Sequence, residues 1–144
     1  IYFLRMRKVE RKLEELLLRA AACLNQNKTS SFIELWDPEG GLMLPGTPVI
    51  CGKQQIEEWS SVHMRSHSYD LGIEIQAIHV EAFFACADGR FIVRVISTET
   101  GEVRVHNGKF LSVLRPAESI ADTSGDNWRI FRWCCNSSLP PSSE

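Results

Sequence analysis

The stretch from Leu35 to Gly52, Leu-Trp-Asp-Pro-Glu-Gly-Gly-Leu-Met-Leu-Pro-Gly-Thr-Pro-Val-Ile-Cys-Gly, constrains the fold more than any other. It gathers four of the nine glycines and three of the six prolines around two short apolar runs, Leu42–Leu44 and Val49–Cys51. Glycine permits positive φ, whereas proline fixes φ and removes a donor, so both end regular structure. The stretch therefore predicts a helix end, a short strand, a tight turn and a second short strand.

Upstream, Val9, Leu13, Leu16, Leu17, Ala20, Ala21 and Leu24 recur at three- and four-residue spacing, which predicts one amphipathic helix from Leu4 to Gln26. The mixed charges on its other face (Arg7, Lys8, Glu10, Arg11, Lys12, Glu14, Glu15) mark a solvated surface rather than a binding patch. Thr29-Ser30-Ser31 offers hydroxyl caps for a second, short helix running to Trp36 and stopped by Asp37-Pro38. Ser31-x-x-Glu34 fits a capping box, with a pocket-facing Glu34 as the alternative.

Downstream of Gly52, the spacing of Ile56, Trp59 and Val62 predicts a third helix over 53–64. From Tyr69 the period changes to two. Leu71, Ile73, Ile75 and Ala77 alternate with Asp70, Gly72, Glu74 and Gln76 as on a half-buried strand. Further β-rich segments cover 83–98, 103–114 and 128–135, with a hairpin at Thr100-Gly101 and a polar loop over 116–126. Asp88-Gly89 fits either a hairpin turn or a bulge in one long bent strand, the turn then falling near Ala82-Phe83. Helices followed by an antiparallel meander predict an α+β domain over 1–136, with the helices on one face of a curved sheet; 137–144 reads as a frayed tail.

At 144 residues the chain fits one domain. A formal charge of −2 and scattered basic residues give no footprint for nucleic acid. No apolar run approaches the ~18 residues that a membrane helix needs. Ile1–Leu4 is too short for a signal-peptide core and reads as a truncation remnant. Cys23, Cys51, Cys86, Cys134 and Cys135 are odd in number and lack a C-x-x-C pair, which points to reduced thiols and a cytoplasmic setting. His63 and His67 stand four apart near Glu58 without a third ligand at a fixed offset, so helix-end capping is the expectation and no metal or other cofactor is implied.

The segment from Leu35 to Ile56 resembles the one that SnoaL-like, ketosteroid-isomerase-like proteins of the nuclear transport factor 2-like superfamily carry after their second helix. Gly108-Lys-Phe-Leu-Ser-Val-Leu114 resembles their penultimate strand, and Trp128-Arg-Ile-Phe with Asn136-Ser-Ser-Leu-Pro140 their closing strand and tail. The resemblance implies a cone: three N-terminal helices on a strongly bent, mainly antiparallel sheet, with a pocket at the wide end. It favours the bulge at Asp88-Gly89 and a homodimer through the outer sheet face. Such a face would account for Phe110 and Leu114 opposing Leu111 and Val113 on one strand.

The residues that do chemistry in such relatives are not carried over. Where their isomerases place an Asp base before a proline, this chain has Leu44 before Pro45; their first-helix Tyr aligns near Ala20. Where such relatives often have an acid before their final Trp, Trp133 and Cys135 take those two places. Abstracting a proton next to a carbonyl needs a base in reach and a donor for the enolate, and neither carried-over group survives. The expectation is a non-catalytic module binding a small apolar ligand or a partner protein, with Trp36, Leu44, Trp59, Phe110 and Trp133 as lining residues. The alternative is an isomerase-, cyclase- or hydrolase-type enzyme drawing on His106, Asp88, His63 and Glu34. A filled scaffold is the third reading.

Overall fold

The computed structural model describes residues 2–140 and 142–143, with side chains from Arg7 onward. Ile1, Pro141 and Glu144, on which the readings of the N-terminal remnant and the frayed tail partly fall, lie outside the described residues. The order is α1 (Tyr2–Asn25), α2 (Thr29–Glu34), β1 (Trp36–Met43), β2 (Ile50–Cys51), α3 (Lys53–Ser66), β3 (His67–Val80), β4 (Ala85–Ser97), β5 (Val103–Pro116), β6 (Trp128–Ser137) and β7 (Ser142–Ser143). One sheet runs β2-β1-β6-β5-β4-β3, with β1 parallel to β6 and its other neighbours antiparallel. None of the described helices is long and apolar enough to cross a membrane.

Several local expectations are corrected. The second helix ends at Glu34, and Trp36 through Gly41 belongs to β1 instead of stopping a helix. The capping box is not made: Lys28 precedes the helix without a side-chain cap, and the Thr29 hydroxyl meets Met64 Sδ at 3.1 Å. On α3, Val62 is 52% exposed, and the buried stripe is Ile56, Ser60 and Met64. The tail is not wholly frayed, because Ser142 and Ser143 pair with Val105 and Arg104.

Asp88-Gly89 lies inside β4, and the turn sits at 81–84, closed by the Glu81 amide on the Phe84 carbonyl at 2.8 Å. The extra residue is across the ladder, in β3: Ile75 pairs with Gly89 and Ala77 with Asp88, leaving Gln76 unpaired. That insertion flips the alternation, so Ala77 turns outward while Ile78 and Val80 turn inward. A second bulge leaves Phe131 of β6 between the Val113–Arg132 and Leu114–Ile130 pairs. Its ring lies between two guanidinium groups, Arg115 at 3.8 Å and Arg132 at 3.9 Å.

The strands bend where two glycines face inward. A Cβ on Gly89 would overlap the carbonyl of Glu74, and one on Gly108 that of Asn136. Arg115 fastens β1 to β5 across β6, donating to Asp37 at 2.8 and 2.9 Å and to Glu39 at 3.0 Å. Burial opposes ionisation of Asp37, but the Arg115 hydrogen bonds and the Glu39 amide overcome it and hold the carboxyl below its ordinary range.

Helix α1 lies along the concave face. Its first half, Val9 and Leu13, joins Val80, Ala85, Ala87, Leu114 and Trp128 in a closely packed core. Asn25 at its other end pairs with the Leu71 backbone on β3, through 2.7 and 3.0 Å bonds. That contact holds the helix over the mouth of the curve.

Gly89→Ala should cost about 3 kcal/mol, at the upper end of ordinary overpacking, because the obstruction is backbone. A fall in the urea midpoint at unchanged slope checks it, and wild-type stability in the variant would show that the strands can separate there.

Candidate functional site

The inner face continues along β4 past Gly89 to Phe91, Val93 and Val95, and there no side chain fills the concavity. A cavity of about 420 Å³ opens between that face and the helices. Leu17, Ala20, Ala21 and Leu24 of α1 form one wall; Phe32 and Trp36 set edge to face at 6.1 Å form another. The segment 42–47 contributes Leu42, Leu44, Pro45 and Thr47 at the rim. Small side chains on α1 and the curvature of the sheet leave the space that larger residues would occupy.

Of the residues expected to line it, Trp36, Leu44, Trp59 and Trp133 do so. Phe110 does not: it stacks on Trp133 with centroids 4.6 Å apart and planes at 9°, so it supports the wall from behind. Among the acid–base candidates, His63 and His106 face the cavity, while Glu34 and Asp88 are exposed and lie outside it. Asp88 falls on the convex face because its neighbours Ala87 and Gly89 face inward.

Ala20 and Leu44 both line the cavity. There they present a methyl and an isobutyl group to the wall. No Asp or Glu is among the described lining residues.

The polar groups that do line it are few. His63 lies over the Trp59 ring at 4.6 Å and 24°, with Nδ1 2.8 Å from the Trp59 carbonyl oxygen. His106 lies on β5 opposite Val93. His67 does not line the cavity; its ring centroid is 6.4 Å from that of His63, and its Nδ1 meets the Ser66 hydroxyl at 2.8 Å. Among the described residues no group of three or more His, Cys, Asp or Glu is placed to hold a metal ion.

Tyr69, Cys135, Ser137 and Thr47 were not named from the sequence as lining residues, yet all four line the cavity. Strand parity carried a signal for three of them. Tyr69 shares its face with Leu71, and Cys135 and Ser137 share theirs with Trp133. Burial pushes the Tyr69 phenol above its ordinary pKa and the Cys135 thiol up to about 11. Both groups are therefore protonated at neutral pH, and Cys135 is not a thiolate nucleophile.

No family model matches the chain, and no curated protein matches it. Solved structures do. A ketosteroid isomerase-like protein from Erwinia carotovora atroseptica is 21% identical, over 88% of this chain and 94% of its own, with a TM-score of 0.75. A nuclear transport factor 2-like superfamily protein from Salmonella enterica is 19% identical, over 93% of this chain and 94% of its own, with a TM-score of 0.76. A protein of that type with a cystatin-like fold, from Novosphingobium aromaticivorans, is 17% identical over 96% and 88%, at 0.74. At such identities the likeness is one of fold.

The thiol pKa gives a chemical test. At pH 8 only about 0.1% of a thiol with a pKa near 11 is ionised, so Cys135 should alkylate far more slowly than exposed Cys51. Labelling by iodoacetamide, followed by peptide mass mapping, should place Cys51 at least tenfold ahead; comparable rates would mean that Cys135 is not desolvated.

Proposed function

We propose that this chain, which has the nuclear transport factor 2-like fold, is a binding module that takes a small, largely apolar molecule into its concave cavity. The observation that carries the reading is a cavity of about 420 Å³ walled mostly by aliphatic and aromatic groups, with no Asp or Glu among the described lining residues. Ligand pockets span about 300–1,000 Å³ and have the same character: an apolar wall with a few placed polar groups. An apolar guest gains by leaving water, and it displaces no ordered polar network from such a wall.

An acid–base enzyme is the second reading, and one observation favours it: His63 and His106 both line the same cavity. On that reading the imidazoles would supply both proton transfers, without the carboxylate of the related isomerases. It expects turnover that His63→Gln or His106→Gln abolishes while binding persists.

The assembly is proposed to be a homodimer through the outer sheet face. Ile92 and Leu111 are 53% and 50% exposed there, on neighbouring strands in the middle of the sheet, and covering them would remove apolar surface from water. Sedimentation should give twice the chain mass, and Leu111→Glu should halve it; a monomeric wild type would end this part of the proposal.

Binding is tested with N-phenyl-1-naphthylamine, whose fluorescence rises in apolar surroundings. Saturable one-to-one binding is expected in the wild type, weakened at least tenfold in Ala21→Trp, whose indole would occupy the cavity. Absence of saturation, or equal binding by a folded Ala21→Trp, would overturn the reading.

A further inference from the structure

The bond that His63 makes inside its own helix decides what the cavity offers a guest. A carbonyl oxygen accepts and cannot donate, so the 2.8 Å contact between His63 Nδ1 and the Trp59 carbonyl fixes the proton on Nδ1. In the neutral imidazole, Nε2 is then the acceptor, and it has no hydrogen-bond partner among the described residues. The ring is held twice over, by that bond and by its stack on Trp59, so the acceptor is fixed in place before any ligand arrives.

Around it the cavity is largely apolar: its other polar side chains are the Tyr69 phenol and the Cys135 thiol, both protonated and able to donate, the Thr47 and Ser137 hydroxyls, and the His106 imidazole on β5. A guest without a hydroxyl would strip water from Nε2 and return nothing. Leaving a desolvated acceptor unpaired costs more than a made hydrogen bond gains.

We infer that His63 Nε2 is the orienting acceptor of the cavity, and that its ligand class is the hydroxylated aromatics: a flat apolar body with one hydroxyl donating to His63. A planar body suits walls built from Trp36, Trp59, Phe91 and Trp133, since aromatic pairs gain beyond simple area. A carboxylic acid is disfavoured. Its anion can only accept, and it would face the lone pair of Nε2 with no Lys or Arg among the described lining residues.

This inference rests on the binding reading, and the experiment separates the two. 2-Naphthol and 2-methylnaphthalene have the same ring body and nearly the same size, and differ in the donor. Each competes with N-phenyl-1-naphthylamine at neutral pH. The wild type should bind 2-naphthol at least tenfold more tightly, although the methyl compound is the more hydrophobic. Tenfold corresponds to about 1.4 kcal/mol, within the range of one hydrogen bond.

His63→Phe should bring that ratio to one or below, with 2-methylnaphthalene still competing, and His63→Gln should restore part of it. Equal affinities in the wild type would overturn the inference and leave the binding reading standing. A ratio lost in His106→Phe but kept in His63→Phe would overturn it too, by moving the acceptor to β5. Failure of both naphthalenes to compete against a bound probe would reject the aromatic ligand class; failure of the probe itself to bind would remove the binding reading.

Discussion

Two inward-facing glycines set how far this sheet can bend, and the bend makes the cavity. At Gly89 and Gly108 the neighbouring backbone comes so close that a methyl group would overlap a carbonyl oxygen. A sheet with ordinary side chains at both positions would have to open its strands there and flatten. The bulge at Gln76 adds a residue to β3 directly beside the Ile75–Gly89 pair, and the one at Phe131 adds a residue to β6 farther along β5, opposite 113–114, so that the ladder stays paired through the curve. The bend therefore rests on absent side chains on the concave face and extra residues beside it.

Curvature alone gives a trough; what fills it decides whether a void remains. Toward one end, Val9 and Leu13 of α1 meet Val80, Leu114 and Trp128, and the space is closed. Toward the other, α1 turns small side chains, Ala20 and Ala21, to a face that carries Phe91, Val93 and Val95. The same helix thus closes one end of the curve and leaves the other open. Arg115 keeps β1 in place across β6 by pairing with buried Asp37, which positions Trp36 and Leu42 as walls. Replacing that pair with apolar groups need not weaken the fold, but losing Arg115 would leave the buried Asp37 carboxylate without its hydrogen-bonded counter-ion.

The architecture was legible because hydrophobic periodicity reports burial, and burial follows from which face of an element meets the core. The helices, the meander and the turn-rich Leu35–Gly52 stretch each announced themselves in that way. What failed were features set by contacts distant in sequence. Trp36 reads as the end of a helix until Ile130 pairs with it in parallel. Ala77 keeps the alternation of Leu71 and Ile73 until one unpaired residue reverses it. Val62 stands at helical spacing from Trp59, yet α3 rolls so that Ser60 and Met64 are covered instead. For the site, composition suggested aromatics, and four of the five lining residues named do line the cavity. Phe110 was indistinguishable in sequence from Trp133, because both sit on inward positions of adjacent strands and only the stack shows which lies in front.

The chemistry of the cavity follows from what burial does to each group in it. A carboxylate would need a partner to stay ionised there, and none is placed to serve. A thiol and a phenol in the same surroundings hold their protons, as Cys135 and Tyr69 do. An imidazole can be neutral at neutral pH and still accept, so it is the one ordinary side chain that presents a lone pair on a ring in an apolar wall without burying a charge. His63 has one nitrogen engaged by its own helix and its ring against Trp59. A cavity without Asp or Glu among its described lining residues thus keeps a polar point of a different kind, an imidazole held by its own helix.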